Sequence, residues 1–336
     1  MNKRFTIGKF PRTRLRRNRQ TSWCRDLISE TDLSTNDLIL PLFITEGKKI
    51  VEDIKSLPSV NRYSLDTVLK KVEEAKKLNI PAIAIFPYIE KKLKTLDGTE
   101  ALNKKNLICR AIREIKKNFP DIGLICDVAL DPYTTHGHDG IIKNNYIAND
   151  ETIEILSQQA LIQAEAGADI IAPSDMMDGR IGVIRDRLDS EGLNNTIILS
   201  YSAKFASNFY GPFRDAIGSS KALGETDKKT YQMNYKNSNE AIREVAMDIN
   251  EGADMVMIKP ALPYLDIISK IKDKFNIPIF AYQVSGEFSM LKLGEKEKSI
   301  NYDECLYESL IAIKRSGASA IFSYGAIDIA KIMKNE

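Results

Sequence analysis

A short pattern of residues recurs along the chain and restricts its fold more than any other feature. The passages "AEAGADIIAPS" (164–174), "NEGADMVMIKP" (250–260) and "RSGASAIFSYGA" (315–326) each place a glycine after a helical stretch, then a small residue, then an apolar run. This order is typical of loops that lead from a helix into a buried strand. Two further passages, "KLNIPAIAIFP" (77–87) and "KFNIPIFAYQVS" (274–285), share an Asn-Ile-Pro entry to the strand. The pattern predicts a chain of repeated βα units.

Eight apolar runs fit the strands of such units. They are residues 38–45, 82–87, 123–130, 170–174, 196–201, 254–259, 278–285 and 320–325. Stretches between them, such as "SLDTVLKKVEEAKKL" and "NDETIEILSQQALIQAEAG", have helical spacing, with Ser64 and Asn149 or Asp150 as expected N-caps. Eight parallel units predict a closed (β/α)8 TIM barrel. An open doubly wound sheet is the alternative, but this chain has no Gly-rich phosphate loop after its first predicted strand, as that fold would require.

The composition fits one globular enzyme with a basic N-terminal extension. Of the 336 residues, 43% are hydrophobic and 28% are charged, and the formal net charge is only +2. Residues 1–20 nevertheless hold eight lysines and arginines and no acid. We interpret residues 1–30 as a solvated or subunit-docking arm, with nucleic-acid binding as the less favoured alternative, and residues 31–336 as a single barrel domain.

The location of the protein is predicted from two further features. No stretch approaches the roughly 20 consecutive apolar residues of a membrane span. The four cysteines have neither zinc-ribbon nor disulfide spacing. We therefore expect a soluble protein of the reducing cytoplasm, with no membrane partner.

Two lysines stand at the ends of neighbouring predicted strands. Lys259 closes "MVMI", and Lys204 follows "TIILSYS". Catalytic groups of TIM barrels lie at the C-terminal ends of strands, so both amines are expected at one mouth. Burial and the like charge of the other amine disfavour the ammonium form, so at least one pKa should fall. A neutral amine attacks a ketone or aldehyde to form a Schiff base, whereas the alternative is a pair of structural lysines bound to carboxylates.

The segment between strands five and six is far longer than an ordinary βα loop. We predict that residues 205–236 form an active-site lid. Arg214, Lys228, Lys229 and Gln232 within it could hold a carboxylate above the two amines.

Other polar residues follow the remaining strands. Ser285 and Tyr324, after strands seven and eight, could bind a second acidic group, although either could be an ordinary loop hydroxyl. Asp127, at the end of strand three, is the expected acid/base residue, with a structural hydrogen bond to the lid backbone as the alternative.

Several motifs of the chain resemble those of one enzyme family. "SYSAKFASNFYGPFR", "YQMN", "MVMIKPALPYLD", "AYQVSGE" and "IFSY" are similar to motifs of the porphobilinogen synthases, or 5-aminolevulinate dehydratases, and the resemblance runs from "RTRLRR" to the final strand. It implies a lyase of tetrapyrrole (haem) biosynthesis that condenses two molecules of 5-aminolevulinate to porphobilinogen with loss of two waters. Lys259 would hold the substrate that supplies the propionate side, and Lys204 the substrate that supplies the acetate side.

The same resemblance assigns residues to the substrate carboxylates. The expected substrate-binding residues are Ser285 and Tyr324 for the first carboxylate, Arg214, Lys228 and Gln232 for the second, and Phe213 and Tyr282 from the same motifs. Zinc-dependent members commonly have arginine in place of Lys228. Lysine offers a point charge instead of a planar fork, so we expect the second substrate carboxylate to be held less rigidly.

The stretch "DVALDPYTTHGHDG" departs from the zinc-dependent members of the family. They carry three cysteines in this stretch, whereas this chain has Ala129, Asp131 and Asp139 at the matching positions. Three thiolates select zinc, while two carboxylates and an alanine make a hard and incomplete site. We interpret His136 and His138 as hydrogen-bonding loop residues, with metal ligation as the alternative. We therefore expect no catalytic zinc, and an active-site loop that contains Asp131 and Asp139.

A magnesium site and an oligomer are expected from one helix and from the arm. Glu244 and Asp248 lie at i and i+4 in "SNEAIREVAMDINEG" and could both reach one hydrated cation, although a solvated helix face has the same spacing. Glu244 matches a glutamate of the family's allosteric magnesium site at a subunit interface, and Asp178 with Arg14 matches an associated ion pair. The resemblance also implies a homo-octamer in which residues 1–30 embrace a neighbour.

Two other functions would explain part of the sequence. A single-lysine Schiff-base aldolase acting on a phosphorylated sugar accounts for Lys259 but assigns no role to Lys204 or to the lid cations. A non-enzymatic scaffold accounts for neither lysine. A pyrrole colour test with 5-aminolevulinate would separate the three hypotheses.

Overall fold

The structure is a computed structural model that describes residues 8–219 and 227–335. Predictions for residues 1–7 of the arm and 220–226 of the lid lie outside these residues. Within the described part of the chain, no helix combines the length and the apolar character that a membrane crossing needs.

The chain divides into two compact units, Met1–Asp32 and Leu33–Glu336. In the described residues of the first unit, a 3-10 turn, Leu15–Arg19, precedes a short helix α1, Ser22–Leu27. None of the residues in these two elements is buried. These two elements therefore present basic and apolar side chains on their surface and form no core of their own.

The second unit is a closed (β/α)8 barrel. Its parallel strands, in pairing order, are β1 (Leu38–Ile44), β4 (Ala82–Pro87), β5 (Gly123–Val128), β8 (Ile170–Pro173), β9 (Ile197–Lys204), β10 (Met255–Lys259), β11 (Ile279–Gln283) and β12 (Ala320–Ser323). The barrel closes because β12 pairs with β1, where Ile321 lies opposite Leu38. All eight predicted strands are confirmed to within a few residues, and closure excludes the open doubly wound sheet.

Two antiparallel hairpins decorate the barrel. One joins β2 (Val51–Asp53) to β3 (Asn61–Tyr63), and β3 also pairs with the C-terminal end of β1. The other joins β6 (Ile141–Lys143) to β7 (Tyr146–Ala148). Both hairpins therefore follow barrel strands on the side of the C-terminal mouth.

Helices connect the strands and cover the outside of the barrel. In the described residues they are α2 (Leu65–Lys77), α3 (Leu107–Asn118), α4 (Asn149–Ala166), α5 (Arg180–Ser190), α6 (Gly211–Ile217), α7 (Ser238–Asn250), α8 (Leu265–Lys274), α9 (Ser285–Lys296), α10 (Tyr302–Arg315) and α11 (Ala326–Asn335). Short 3-10 turns are Thr35–Asp37, Lys91–Leu93, Thr99–Leu102, Asn208–Tyr210 and Leu262–Tyr264.

The predicted helix starts are right for α2 and wrong for α4. Ser64 is the N-cap residue of α2. Helix α4 already begins at Asn149, directly after β7, so Ala148 occupies the N-cap position. The Asn149 side chain instead pairs with the backbone of Asp178, at 2.7 and 3.0 Å. A contact with a distant loop has replaced the predicted cap.

The barrel interior is apolar except at its C-terminal mouth. Every residue of β1 is buried, as expected for a parallel strand covered on both faces. At the mouth, aromatic rings form a wall, with Phe43 and Phe86 centred 5.9 Å apart and Tyr282 and Tyr324 6.0 Å apart. Polar and charged groups therefore meet in a setting that largely excludes water.

Candidate active site

Lys204 and Lys259 lie side by side at the ends of β9 and β10. The two strands pair in parallel, and the Cα atoms of the two lysines are direct partners in the register. Only 6% of Lys204 and 3% of Lys259 is exposed. The fold thus brings two buried amines, 55 residues apart in the sequence, to one mouth of the barrel.

Aromatic rings surround the Lys259 amine. Its Nζ atom lies 4.4 Å from the ring centre of Tyr282, 4.6 Å from that of Phe213 and 5.1 Å from that of Tyr201. No described residue forms a hydrogen bond or ion pair with this atom. Burial, and then the charge of Lys204, lower the pKa of Lys259 to about 7. A substantial fraction of this amine is therefore neutral at physiological pH and able to attack a carbonyl carbon.

The Lys204 amine, in contrast, has polar partners. Its Nζ atom donates to the backbone carbonyl of Ser174 and lies 3.5 Å from Oδ1 of Asp139. The Lys204 amine is therefore engaged by the protein, whereas the Lys259 amine has only aromatic rings around it. Of the two lysines, Lys259 is the one prepared for nucleophilic attack before substrate binds.

Two carboxylates and a lid lysine form a buried ionic cluster beside Lys204. Lys228 Nζ lies 2.9 Å from Asp131 Oδ2 and 2.7 Å from Asp139 Oδ2. Burial opposes the charge of Lys228, but the two carboxylates raise its pKa above the usual value. Burial likewise opposes the charge of Asp139, but the two lysines hold its pKa well below its usual range. Lys228 and Asp139 therefore favour their charged forms, and each of these buried charges depends on the other.

Tyr231 and the two histidines complete this loop. Tyr231 donates from its hydroxyl to Asp139 Oδ2 at 2.9 Å, and the hydroxyl oxygen of Tyr231 lies 3.1 Å from Nδ1 of His138. His136 Nε2 lies 3.0 Å from the carbonyl of Leu96. Burial lowers the pKa of both histidines, which favours neutral rings. Both histidines thus have hydrogen-bonding partners within the protein, in agreement with their interpretation as hydrogen-bonding loop residues.

Asp127 ends β5 at the same mouth. Burial, and then the charge of Asp131, raise the pKa of Asp127 to about 7, although the residue keeps partial contact with solvent. Both lysines oppose this shift. The Gln163 side chain holds the Asp127 backbone in place by donating to its carbonyl at 3.0 Å. A carboxyl group that titrates near neutrality can both give and accept a proton.

The lid residues expected to bind a carboxylate differ in their exposure and in their hydrogen-bond and ion-pair partners. Arg214, on α6, is partly exposed, and its side chain has no hydrogen bond or ion pair to another described residue. Gln232 is buried, and its side-chain oxygen has no partner in the part of the chain that the structure describes. Lys228 is engaged by the two aspartates, whereas Lys229 is exposed and pairs with Asp227 at 2.6 Å. Arg214 and Gln232 are therefore the available groups.

The site predicted for the first carboxylate, at Ser285 and Tyr324, is partly occupied by the lid itself. The hydroxyl of Ser285 accepts from the backbone N–H of Phe213 at 2.9 Å and lies 3.4 Å from the carbonyl of Phe209. The hydroxyls of Tyr282 and Tyr324 lie 3.0 Å apart. A carboxylate bound at Ser285 would have to replace or share the bond to Phe213.

Glu244 and Asp248 do not face the same surroundings. Glu244 is partly exposed and lines a cavity of about 780 Å³, together with Asp178 and Glu240. Burial raises the pKa of Glu244, and neighbouring carboxylates add to this shift. Asp248 is 2% exposed, and its carboxylate accepts from Arg180 at 3.2 and 3.3 Å. This geometry does not favour Asp248 as an outer ligand of a cation beside Glu244, because its charge is already compensated.

Sequence analysis missed several residues of the mouth. Tyr231 holds Asp139, and Tyr210 donates from its hydroxyl to the backbone carbonyl of Lys259 at 2.9 Å. Both lie inside the quoted motifs, which was the available signal. Among the described residues, no group of three or more His, Cys, Asp or Glu side chains has the arrangement of a metal site.

Two buried amines at the mouth of a closed (β/α)8 barrel, next to cationic and amide side chains of the segment between β9 and β10, define a class of protein. It is the class of barrel enzymes that hold carbonyl substrates as imines on lysine.

Comparison with known proteins gives the family within this class. The family model described as delta-aminolevulinic acid dehydratase matches residues 12–332. A protein with this name from Bradyrhizobium diazoefficiens is 53% identical over 323 residues, covering 96% of this chain and 91% of the relative. One from Chlamydia pneumoniae is 50% identical, covering 98% and 97%. The chain therefore belongs to the delta-aminolevulinic acid dehydratase family, which confirms the resemblance of its motifs.

A solved structure agrees with this assignment. Delta-aminolevulinic acid dehydratase (porphobilinogen synthase) from Toxoplasma gondii, solved in complex with the reaction product porphobilinogen, is 46% identical to this chain. The match covers 96% of this chain and 92% of that one, with a TM-score of 0.94. The barrel described above therefore has the same fold as that enzyme.

Proposed function

We propose that this chain joins two molecules of 5-aminolevulinate into porphobilinogen through imines on Lys259 and Lys204. The reaction itself, a lyase reaction of porphyrin and haem biosynthesis, follows from the family and from the Toxoplasma relative with its bound product. The observation that supports the two imines is the pairing of two buried amines in one register of the barrel. The aldolase hypothesis is not retained, because the family match covers nearly the whole chain.

Lys259 is proposed to bind the first substrate. Its neutral amine attacks the ketone carbon, and the resulting carbinolamine loses water to give an imine. Asp127, with its pKa near 7, is proposed to give a proton to the departing hydroxyl group. The aromatic wall keeps bulk water from the carbon that has just been dehydrated.

Lys204 is proposed to bind the second substrate in the same way, with release of a second water. The C–C and C–N bonds that form the pyrrole ring then displace both lysines as free amines, so only two waters are lost overall. Since both fragments are held on adjacent strands, alignment of the reacting atoms should supply much of the rate enhancement.

The remaining side chains are proposed to orient the two substrates. Arg214 and Gln232 take the second carboxylate, with Lys228 as a point charge behind them. Ser285 and Tyr324 take the first carboxylate. Phe213 and Tyr282 border the first substrate through their contact with Lys259.

We propose that catalysis requires no zinc. Ala129 offers no donor atom, and the amine of Lys228 lies within 3 Å of both Asp131 and Asp139. A buried ammonium thus lies where a cation bound by the two carboxylates would be. The residues present do not fit a zinc site, so Asp131 and Asp139 are proposed to hold Lys228 and the lid.

We propose an allosteric magnesium site at Glu244. The cavity beside it is lined by Glu244, Glu240 and Asp178, and hard oxygen donors suit a hydrated Mg²⁺ that keeps several waters between itself and the carboxylates. Magnesium bound there would supply positive charge to these acidic residues.

Assembly and location are also proposals. We propose a homo-octamer in which the basic arm, residues 1–30, embraces a neighbouring subunit, because its apolar side chains such as Phe10 and Trp23 are exposed. We propose the cytoplasm as the location, with neither nucleic acid nor membrane as a partner. The four cysteines, which are all free thiols, support a reducing compartment.

Borohydride trapping tests the two-imine proposal. Lys259→Ala should abolish porphobilinogen formation, because the first substrate loses its attachment. Lys204→Ala should nearly abolish turnover but still allow one substrate to be trapped on Lys259. Lys229→Ala, at an exposed lid lysine, is the matched control and should behave like the parent protein. Substantial turnover by either of the first two variants, measured by the pyrrole colour reaction, would contradict the proposal.

A further inference from the structure

Arg62 lies outside the site described so far, yet its guanidinium holds the end of the lid helix α6. Its Nε donates to the carbonyl of Ala216 and its Nη2 to that of Asp215, each at 2.6 Å. Both carbonyls lie in the last turn of the helix, where helical bonding ends. The Asp215 carbonyl also accepts from the Gly218 N–H at 3.2 Å. A cation at this end also complements the helix dipole. Arg62 is 154 residues from Ala216 in the sequence, so this is a contact that only the tertiary fold creates.

Arg62 is itself fixed to the barrel. It lies on β3, where it is the antiparallel partner of Glu52 and the parallel partner of Phe43. Its Nη1 donates to Glu52 at 2.9 Å, and its guanidinium carbon lies 4.2 Å from the centre of the Tyr88 ring. Only 9% of the residue is exposed. The guanidinium therefore presents two rigid donors to α6, and a flexible lysine could not present the same fork.

A glycine completes the attachment at this end of α6. Gly218 follows the helix with φ +71°, a left-handed conformation that favours glycine. A Cβ atom there would lie 2.7 Å from the Tyr88 ring. The Gly218 carbonyl accepts from Lys94 at 3.3 Å. The same tyrosine thus supports both Arg62 and the residue that ends the helix.

The other end of α6 is fixed on the opposite side of the mouth. The Phe213 N–H donates to Ser285 at 2.9 Å, and a Cβ atom on Gly286 would lie 2.6 Å from the Phe209 carbonyl. Helix α6 therefore spans the mouth from the start of α9 to the hairpin that carries Arg62. If a substrate carboxylate takes over the Ser285 hydroxyl, Arg62 becomes the principal polar attachment of the helix to the barrel.

The position of α6 determines the surroundings of Lys259. The Phe213 ring lies 4.6 Å from Lys259 Nζ and packs on Phe43 and Phe86, with ring centres 5.7 and 5.3 Å away. The next residue along the helix is Arg214, whose side chain pairs with no other described residue. Any shift of the helix would move Phe213 and Arg214 together.

We propose that Arg62 is a positioning residue of the reaction, a latch that keeps α6 across the mouth. With the helix in this position, Phe213 shields Lys259 and Arg214 contacts the substrate carboxylate. The inference rests on the proposed function of Lys259 and Arg214. Arg62 touches neither substrate nor either lysine, so it acts only through the helix.

The test compares Arg62→Gln and Arg62→Lys with Arg187→Gln, a surface arginine on α5 that serves as the matched control. Arg62→Gln should raise KM for 5-aminolevulinate roughly 10- to 100-fold, as expected when charge-assisted hydrogen bonds to a lid are lost. kcat should fall less. The midpoint of imine trapping at Lys259 should move to higher pH, because the amine becomes more accessible to water. Arg62→Lys should recover part of both effects, and Arg187→Gln should show neither.

Glu52→Gln covers the case in which Arg62→Gln fails to fold. Glu52 is half exposed, so this variant should fold while it loosens the guanidinium, and it should change KM and the pH midpoint in the same direction by a smaller factor. The latch would be overturned if folded Arg62→Gln kept the parental KM and the parental pH midpoint of imine trapping. If Arg62→Gln is insoluble, the same result with folded Glu52→Gln would overturn it. Failure of the parent protein to make a pyrrole would count against the proposed function, whereas a normal parent with unaffected variants would count against the latch alone.

Discussion

Imine formation at Lys259 should follow a pH curve that turns near pH 7. Burial and the charge of Lys204 lower the pKa of this amine from 10.5 to about 7. At pH 7 about half of such an amine is neutral, compared with about 0.03% for a lysine with the ordinary value, a gain of roughly a thousandfold in nucleophile. Below the pKa the amine is protonated, so the rate should fall about tenfold per pH unit, and above it the rate should level off.

Lys204→Met is the perturbation that tests the cause of this shift. It removes the like charge while keeping a side chain of similar length. The pKa of Lys259 should then rise, the curve should move to higher pH, and trapping at pH 7 should slow. Lys229→Met, at the exposed lid lysine, is the control and should leave the curve in place.

The assay is a single-turnover reaction with 5-aminolevulinate, stopped with borohydride at a series of pH values. Mass mapping of the peptide that contains Lys259 separates its imine from any formed at Lys204. If the pH dependence of imine formation at Lys259 had its midpoint above about pH 9 in the parent protein, the pKa of Lys259 would not be depressed. A midpoint that stays unchanged in Lys204→Met would show that the second amine does not contribute.

Four further predictions concern other parts of the chain. Asp127→Asn should lower kcat much more than the yield of the first trapped imine, since the amide cannot transfer protons, and pre-steady-state trapping alongside steady-state turnover would reveal equal losses if this is wrong. Phenanthroline should leave activity largely intact, whereas EDTA should reduce it only as far as magnesium supports assembly; loss with phenanthroline that zinc restores would contradict the zinc-free proposal. Glu244→Ala should abolish the effect of magnesium on activity and on particle size in light scattering, while Glu308→Ala, an exposed control on α10, should retain both. Asp248→Asn should destabilise the fold by about 3–5 kcal/mol in urea unfolding, because it leaves the buried Arg180 short of a charged partner, and a loss below 1 kcal/mol would show that the pair matters little.

The sequence by itself determined the barrel. Strand positions could be predicted because the signals are local: glycine ends a helix, a small residue follows, and an apolar run enters the sheet. The order of eight such units leaves few topologies, and parallel strands that close on themselves place their C-terminal ends together. Lys204 and Lys259 could be assigned to one mouth for that reason alone.

Only the tertiary structure decided which side chains are paired there and which are available. Lys228 is held by Asp131 from 97 residues away, Ser285 is occupied by the backbone of the lid, and Asp248 turns inward to Arg180. Helical spacing put Asp248 on the same face as Glu244, but spacing does not say which groups a neighbouring helix or strand brings to that face. Arg62 gave no signal in its own stretch of sequence, because its importance lies in two carbonyls that the fold carries to it. Pairings of this kind depend on the distances between elements after packing, and no local pattern of residues contains those distances.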